Sequence, residues 1–226
     1  MVDVALSTPG VGGAGRLRTY LVWSFWVGVA FFGVYPGMNW ITSLRAEPFH
    51  LYVPVELAIP FVPQFIWAYL SMYVLFLLPP FFMPVASMPA LGKQLIAGSI
   101  VSAILFLLLP AELGFVRQVP NGALHAAVYA KIFSIDRPFN LVPSLHVIFS
   151  CAIALACADF ARPAVRLALW GWLAAIVAST LLVHQHHLLD LLVAFAIVFF
   201  LRRRYEVTNA EASPVRFSAV HAPDPG

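Results

Sequence analysis

Long apolar runs separated by short basic or proline-rich connections set the pattern of this chain. The runs are continuous rather than alternating, which predicts buried or membrane helices rather than half-exposed strands. They predict spans at about 20–40, 64–82, 95–110, 145–160, 167–183 and 187–201. The last two form one apolar stretch, residues 167–201. As a single helix rising ~1.5 Å per residue it would be about 50 Å long, against a hydrocarbon core of ~30 Å. It must therefore break, and the polar cluster inside it is His184-Gln185-His186-His187.

The connections sharpen this reading. Residues 45–63 carry Pro48, Pro54, Pro60 and Pro63 with two glutamates, Glu47 and Glu56, and read as an extended or interfacial segment. Glu56 and Glu112 read as exposed loop carboxylates. Pro36-Gly37 predicts a kink or an exit near the end of the first span. The third connection, residues 112–142, is long enough to be functional. Within it, residues 123–135 have apolar positions at helical spacing beside His125 and Lys131, which predicts a short interfacial helix. The expected fold is an all-α polytopic membrane helix bundle with about six transmembrane helices. Residues 1–18 form a cytoplasmic tail, 19–204 the six-helix membrane domain, and 205–226 a disordered cytoplasmic tail.

Composition agrees. The 226 residues are 62% hydrophobic and 10% charged, with a mean hydropathy of +0.88, which excludes an ordinary soluble domain. The net charge of +3 is better explained by basic residues flanking spans than by nucleic acid. With six spans, Arg16, Arg18, Lys93, Arg162, Arg166, Arg202, Arg203, Arg204 and Arg216 share one side; Arg45, Arg117, Lys131 and Arg137 lie opposite. The positive-inside rule then makes both termini cytoplasmic. A bacterial inner membrane is the default, with the His186 turn on its periplasmic face. Cys151 and Cys157 have no metal spacing and read as small buried or lipid-facing hydrophobes.

Two polar pieces fall on that outer face. One is the segment from Asp136 through Arg137, Pro143 and Ser144 to His146; the other is His186 with Asp190 one turn on. A carboxylate one helical turn after a histidine can hold one ring nitrogen and leave the other as a nucleophile. His146, at a helix start, is placed to act as a general acid. Arg137, Arg117 and Lys131 can supply positive charge, and Ser144 a hydrogen-bond donor, which suits phosphoryl transfer. His184 and His187 read as turn residues or as partners of the acting groups.

Pro143-Ser144-Leu145-His146, and Ser179-Thr180 followed by His186 and Asp190, resemble the second and third motifs of the type-2 phosphatidic acid phosphatase and vanadium haloperoxidase superfamily. Leu145 stands for the family's glycine and Thr180 for its arginine. Lys131 to Arg137-Pro138 approximates the first motif, one residue short. The stretch from Asn140 to Val147 is similar to the branch that contains the inositol phosphorylceramide and sphingomyelin synthases and bacterial relatives. The resemblance implies a phosphohistidine on His186 oriented by Asp190, protonation of the leaving group by His146, and phosphate contacts from Arg137, Ser144, Arg117, Lys131 and Ser179. It implies no metal and no cofactor. The expected partners are a lipid phosphate or phospholipid and, for a transferase, an alcohol or ceramide-like acceptor. A haem protein with His146 and a turn histidine as axial ligands, and a proton-coupled transporter using His186 and Asp190, are the alternatives.

Overall fold

The computed structural model describes residues 12–44, 47–135 and 139–206. The regular elements among the described residues are helices, and the one β-bridge among them joins Phe49 and Ala111. Helix α1 covers Gly13–Thr42 and so begins earlier than the predicted first span. Pro36 sits inside it without ending it, although its nitrogen has no hydrogen for the carbonyl four residues back. The predicted second span is instead a chain of short pieces. A 3-10 turn at Pro63–Phe65 leads to α2 (Ile66–Leu70), α3 (Met72–Leu75) and α4 (Pro79–Phe82). Pro79 and Pro80 open α4, where a missing N–H costs nothing.

Helix α5 covers Met88–Leu108, and α6 occupies Ala123–Ile135, the segment the periodicity predicts. Then come α7 (Leu145–Asp159), α8 (Pro163–Leu182) and α9 (Leu188–Arg204). Three helical stretches are long and apolar enough to cross a membrane: Gly13–Thr42, Val85–Leu108 and Pro163–Leu182. The other predicted spans fall on shorter pieces. Helices α7 and α9, of 15 and 17 residues, reach about 22 and 26 Å at ~1.5 Å per residue.

Helix α7 is the hub. Nearly all its residues are buried, including Val147, Ile148, Ile153 and both cysteines, and it packs on α3, α4, α5, α8 and α9. A helix apolar all round belongs in such a place. Its C-terminal end and the start of α1 gather the basic residues. Arg16 donates to Pro80 O and Met83 O, both at 3.0 Å, and Arg202 pairs with Asp159 at 2.8 Å. Its N-terminal end, carrying Leu145 and His146, points the other way, toward the turn between α8 and α9.

The broadest helix contact is α1 on α5. Gly92 makes it possible, because a Cβ there would run into the Trp23 ring. Gly92→Val is therefore expected to lower stability by about 1–3 kcal/mol through overpacking. Thermal unfolding in detergent would read the loss, and adding Trp23→Ala should restore part of it. Equal and additive losses would mean the ring and the glycine do not compete for the same space.

Candidate active site

The turn between α8 and α9 creates the site. Helix α8 ends in a Schellman arrangement: His184 N donates to Leu181 O and Gln185 N to Thr180 O, each at 3.0 Å. His184 occupies the left-handed position with φ 56°, which usually falls to glycine. His186 N also donates to Thr180 O at 3.1 Å, so the chain reverses tightly and brings Gln185 and His186 beside α7.

His186 and Asp190 meet as the spacing predicts. The Nδ1–H of His186 donates to Asp190 Oδ2 at 3.0 Å, and the same oxygen accepts from His187 N at 2.9 Å. Asp190 is 1% exposed. A buried carboxylate needs such donors, and the positive end of the α9 dipole adds to them. Because Nδ1 carries the proton, Nε2 of a neutral His186 keeps its lone pair.

His146 is held differently. Its Nε2 lies 2.7 Å from Tyr69 O, and its ring stacks on the Tyr69 ring at 3.8 Å. A carbonyl can only accept, so Nε2 carries hydrogen and Nδ1 is the free nitrogen. Tyr69 lies in the last turn of α2, where its carbonyl also accepts a backbone N–H of the C-cap; a carbonyl has a second lone pair for the His146 N–H.

Both histidines line one mostly apolar cavity of about 640 Å³. Asn140, Gln185 and Tyr69 share their end of it. From there it runs between α1, α5 and α7, along α1 from Pro36 to Tyr20, a distance of roughly 24 Å at ~1.5 Å per residue. Trp23, Phe31, Leu91 and Phe149 are typical of its walls.

The predicted phosphate ligands among the described residues do not line this cavity. Ser144 caps α7, its hydroxyl oxygen accepting from Val147 N at 3.3 Å while its own N–H donates to Asp190 O at 3.2 Å. It therefore joins the two motif segments without lining the cavity. Ser179 is buried and donates to Ile176 O at 2.6 Å, and Thr180 donates to Val177 O at 2.7 Å. Arg117 lies over the Phe133 ring at 4.8 Å, and Lys131 is exposed on α6; neither lines the cavity. Arg137 lies outside the described residues, as do Asp136 and Pro138. Among the described residues, no cluster of three or more His, Cys, Asp or Glu side chains is placed to hold a metal ion.

Glu56 departs from its expected exposure. It is 3% exposed, and Oε2 accepts from Leu188 N at 2.7 Å and from His187 Nδ1 at 3.2 Å, while Oε1 accepts from Val53 N at 3.0 Å. His187 Nε2 in turn accepts from Gly114 N at 3.0 Å, which fixes the neutral Nδ1–H tautomer. His187 is sandwiched between Tyr52 and Phe115, with centroids at 4.7 and 4.5 Å, and Phe115 stacks on His184 at 4.0 Å. A Cβ at Gly114 would lie 2.5 Å from Tyr52 Cζ, so this layer also depends on glycine. His184 donates through Nε2 to Ile59 O at 2.9 Å. The loops that carry Glu56 and Phe115 are thereby fastened to the His184–His187 turn. Glu112, by contrast, stays partly exposed and pairs with His50 at 2.8 Å.

Sequence reasoning missed Tyr69, Gln185 and the buried state of Glu56. Gln185 had a visible signal, a neutral amide inside an apolar stretch; Tyr69 acts through its backbone and had none. Compared with protein-family models, with curated proteins and with solved structures, the chain gives no significant match. The resemblance described above therefore rests on the motif residues.

Two outcomes follow from the loop layer. Glu56→Gln leaves one acceptor oxygen for two sets of donors, so its NH2 must face either Val53 N or the Leu188 N and His187 Nδ1 pair; it should cost about 1–3 kcal/mol, read by chemical or thermal unfolding. Burial also pushes the His184 imidazole below its usual value, with the Ile59 hydrogen bond opposing. The unfolded chain then binds the proton more readily than the folded one. Stability is full above the unfolded value of ~6.5 and falls as pH drops below it. His184→Asn should flatten that slope; an unchanged slope between pH 7 and 5 would assign it to other groups.

Proposed function

We propose that this protein is an integral membrane enzyme of lipid phosphoryl transfer. It cleaves a lipid phosphate or phosphodiester headgroup through a phosphohistidine on His186. The observation that supports this best is the His186–Asp190 hydrogen bond at the end of an apolar cavity that His146 also lines. A held Nδ1–H makes the other nitrogen a defined nucleophile, and an apolar cavity suits a lipid chain.

In the proposed reaction, Nε2 of His186 attacks phosphorus, forming a P–N bond as the P–O bond to the leaving alcohol breaks. His146 takes a proton at its free Nδ1 and passes it to the departing oxygen, while its Nε2–H stays on Tyr69 O. Water or an alcohol acceptor then attacks phosphorus, His146 takes its proton, and the P–N bond breaks. Asp190 stabilises the positive charge that the His186 ring carries in between.

The membrane arrangement belongs to the same proposal. The three long apolar stretches cross the bilayer, and α7, α9 and the broken 63–82 segment complete a six-span bundle. Both termini are cytoplasmic, and the histidines lie at the periplasmic face of a bacterial inner membrane. The basic end of the bundle, with Arg16 and Arg202, opposite the histidine end, supports this orientation.

The test is turnover by purified protein in detergent, with lipid phosphates and phospholipids, following free phosphate and new lipids together. His186→Ala should fall below detection. Asp190→Asn should lose roughly 10²–10⁴-fold, with both variants still eluting as folded protein. Free phosphate would mark a hydrolase; a new phosphodiester lipid that needs an added alcohol or ceramide-like acceptor would mark a transferase. Wild-type rates in either variant would end the phosphohistidine mechanism.

A further inference from the structure

Gln185 and Asn140 are buried amides on the cavity wall beside the two histidines, and the proposed chemistry has so far given them no task. Gln185 is 5% exposed, and its Nε2 has no hydrogen-bond partner. Asn140 is 4% exposed; Oδ1 accepts from Thr42 Oγ1 at 2.7 Å, and Nδ2 has no partner. Both side chains line the cavity with His146 and His186.

Buried amide donors normally find partners, because leaving water without one is costly. Two orphaned amides on the wall of the cavity that both histidines line therefore point to a ligand that supplies acceptors. The backbone explains how Gln185 is held there: its N–H is locked to Thr180 O by the Schellman turn. Asn140 is anchored through Thr42 to the end of α1. Positions are thus fixed before any ligand arrives, which is what an oxyanion site needs.

Resting on the phosphoryl-transfer reading, we infer that Gln185 and Asn140 are the hydrogen-bond donors for the oxygens of a tetrahedral phosphoryl group. They take the place of the arginine that the resemblance would put at Thr180. Thr180 cannot do this itself, since its hydroxyl donates to Val177 O. Amides in a water-poor cavity bind such oxygens without adding a cation.

The ligand-induced rise in unfolding temperature tests this without requiring turnover. Orthovanadate and dodecyl phosphate are titrated into detergent-solubilised wild type, Gln185→Met, Gln185→Glu and Asn140→Ala. Gln185→Met should weaken binding of the phosphoryl probe about 10–100-fold, while the ligand-free unfolding temperature holds or rises, because an orphaned amide is removed. Gln185→Glu should weaken it further by charge repulsion. Much tighter dodecyl phosphate than orthovanadate in wild type supports a phosphoryl group arriving on a lipid; equal affinities support free phosphate at the same donors. Unchanged affinity in Gln185→Met, a drop in its ligand-free stability, or no binding by wild type overturns the inference. Turnover separates the two claims. His186-dependent turnover with unaltered binding in Gln185→Met leaves the enzyme standing and removes the amides. Binding that needs Gln185 in a protein without turnover does the reverse.

Discussion

The buried carboxylate of Asp190 is the constraint on which the rest of this structure depends. A carboxylate at 1% exposure in an apolar bundle carries a desolvation penalty of several kcal/mol unless donors meet it. Here the donors are His186 Nδ1–H and His187 N–H, and the start of α9 contributes its dipole. Its own backbone oxygen accepts from Ser144, so the residue that orients one histidine also holds the start of the helix that carries the other. Removing the carboxylate would release His186 and the His187 N–H while leaving the backbone bond to Ser144 in place.

That arrangement requires a sharp turn, and the turn is stabilised from outside. A non-glycine residue in the left-handed region costs roughly 1–2 kcal/mol, and His184 accepts this cost at φ 56°. Its stack on Phe115 and its bond to Ile59 O offset the strain. Glu56 adds to this by taking the Leu188 N–H, one of the four donors that a helix start leaves unpaired. Two carboxylates from distant parts of the chain thus converge on one helix N-terminus. Glu56 reaches it from the loop and Asp190 from within the helix.

Much of this was legible from periodicity and spacing, and the failures have identifiable causes. The apolar stretch 167–201 had to break on length alone, and His186 and Asp190 at i, i+4 had to share a face. Both hold in the structure, as do the bounds of α6. The 64–82 segment looked like one span because composition records apolarity and not continuity. Pro79 and Pro80 opened a new short helix instead of ending a long one. Glu56 looked exposed because its partners lie 131 and 132 residues away, and no local pattern announces such contacts. Ser179 and Ser144 looked like phosphate ligands because motif spacing fixes residue identity but not where a hydroxyl turns. Both hydroxyls are occupied by backbone groups of their own helices.

The partners of the two histidines separate their roles more firmly than their positions do. In the proposed mechanism the Asp190 carboxylate faces the ring that becomes positive when Nε2 bonds to phosphorus. Tyr69 O is uncharged and holds one nitrogen of the His146 ring, which leaves Nδ1 for proton transfer in that mechanism. The proposal therefore pairs the nucleophile with the carboxylate and the acid with the carbonyl. Exchanging the two assignments would leave the anion holding the proton that the leaving group needs. The same logic extends into the cavity, where the donors beside both rings are uncharged amides and the walls beyond them are apolar. In the proposed reading, a lipid substrate presents its charged group at the histidine end while its apolar remainder occupies the rest.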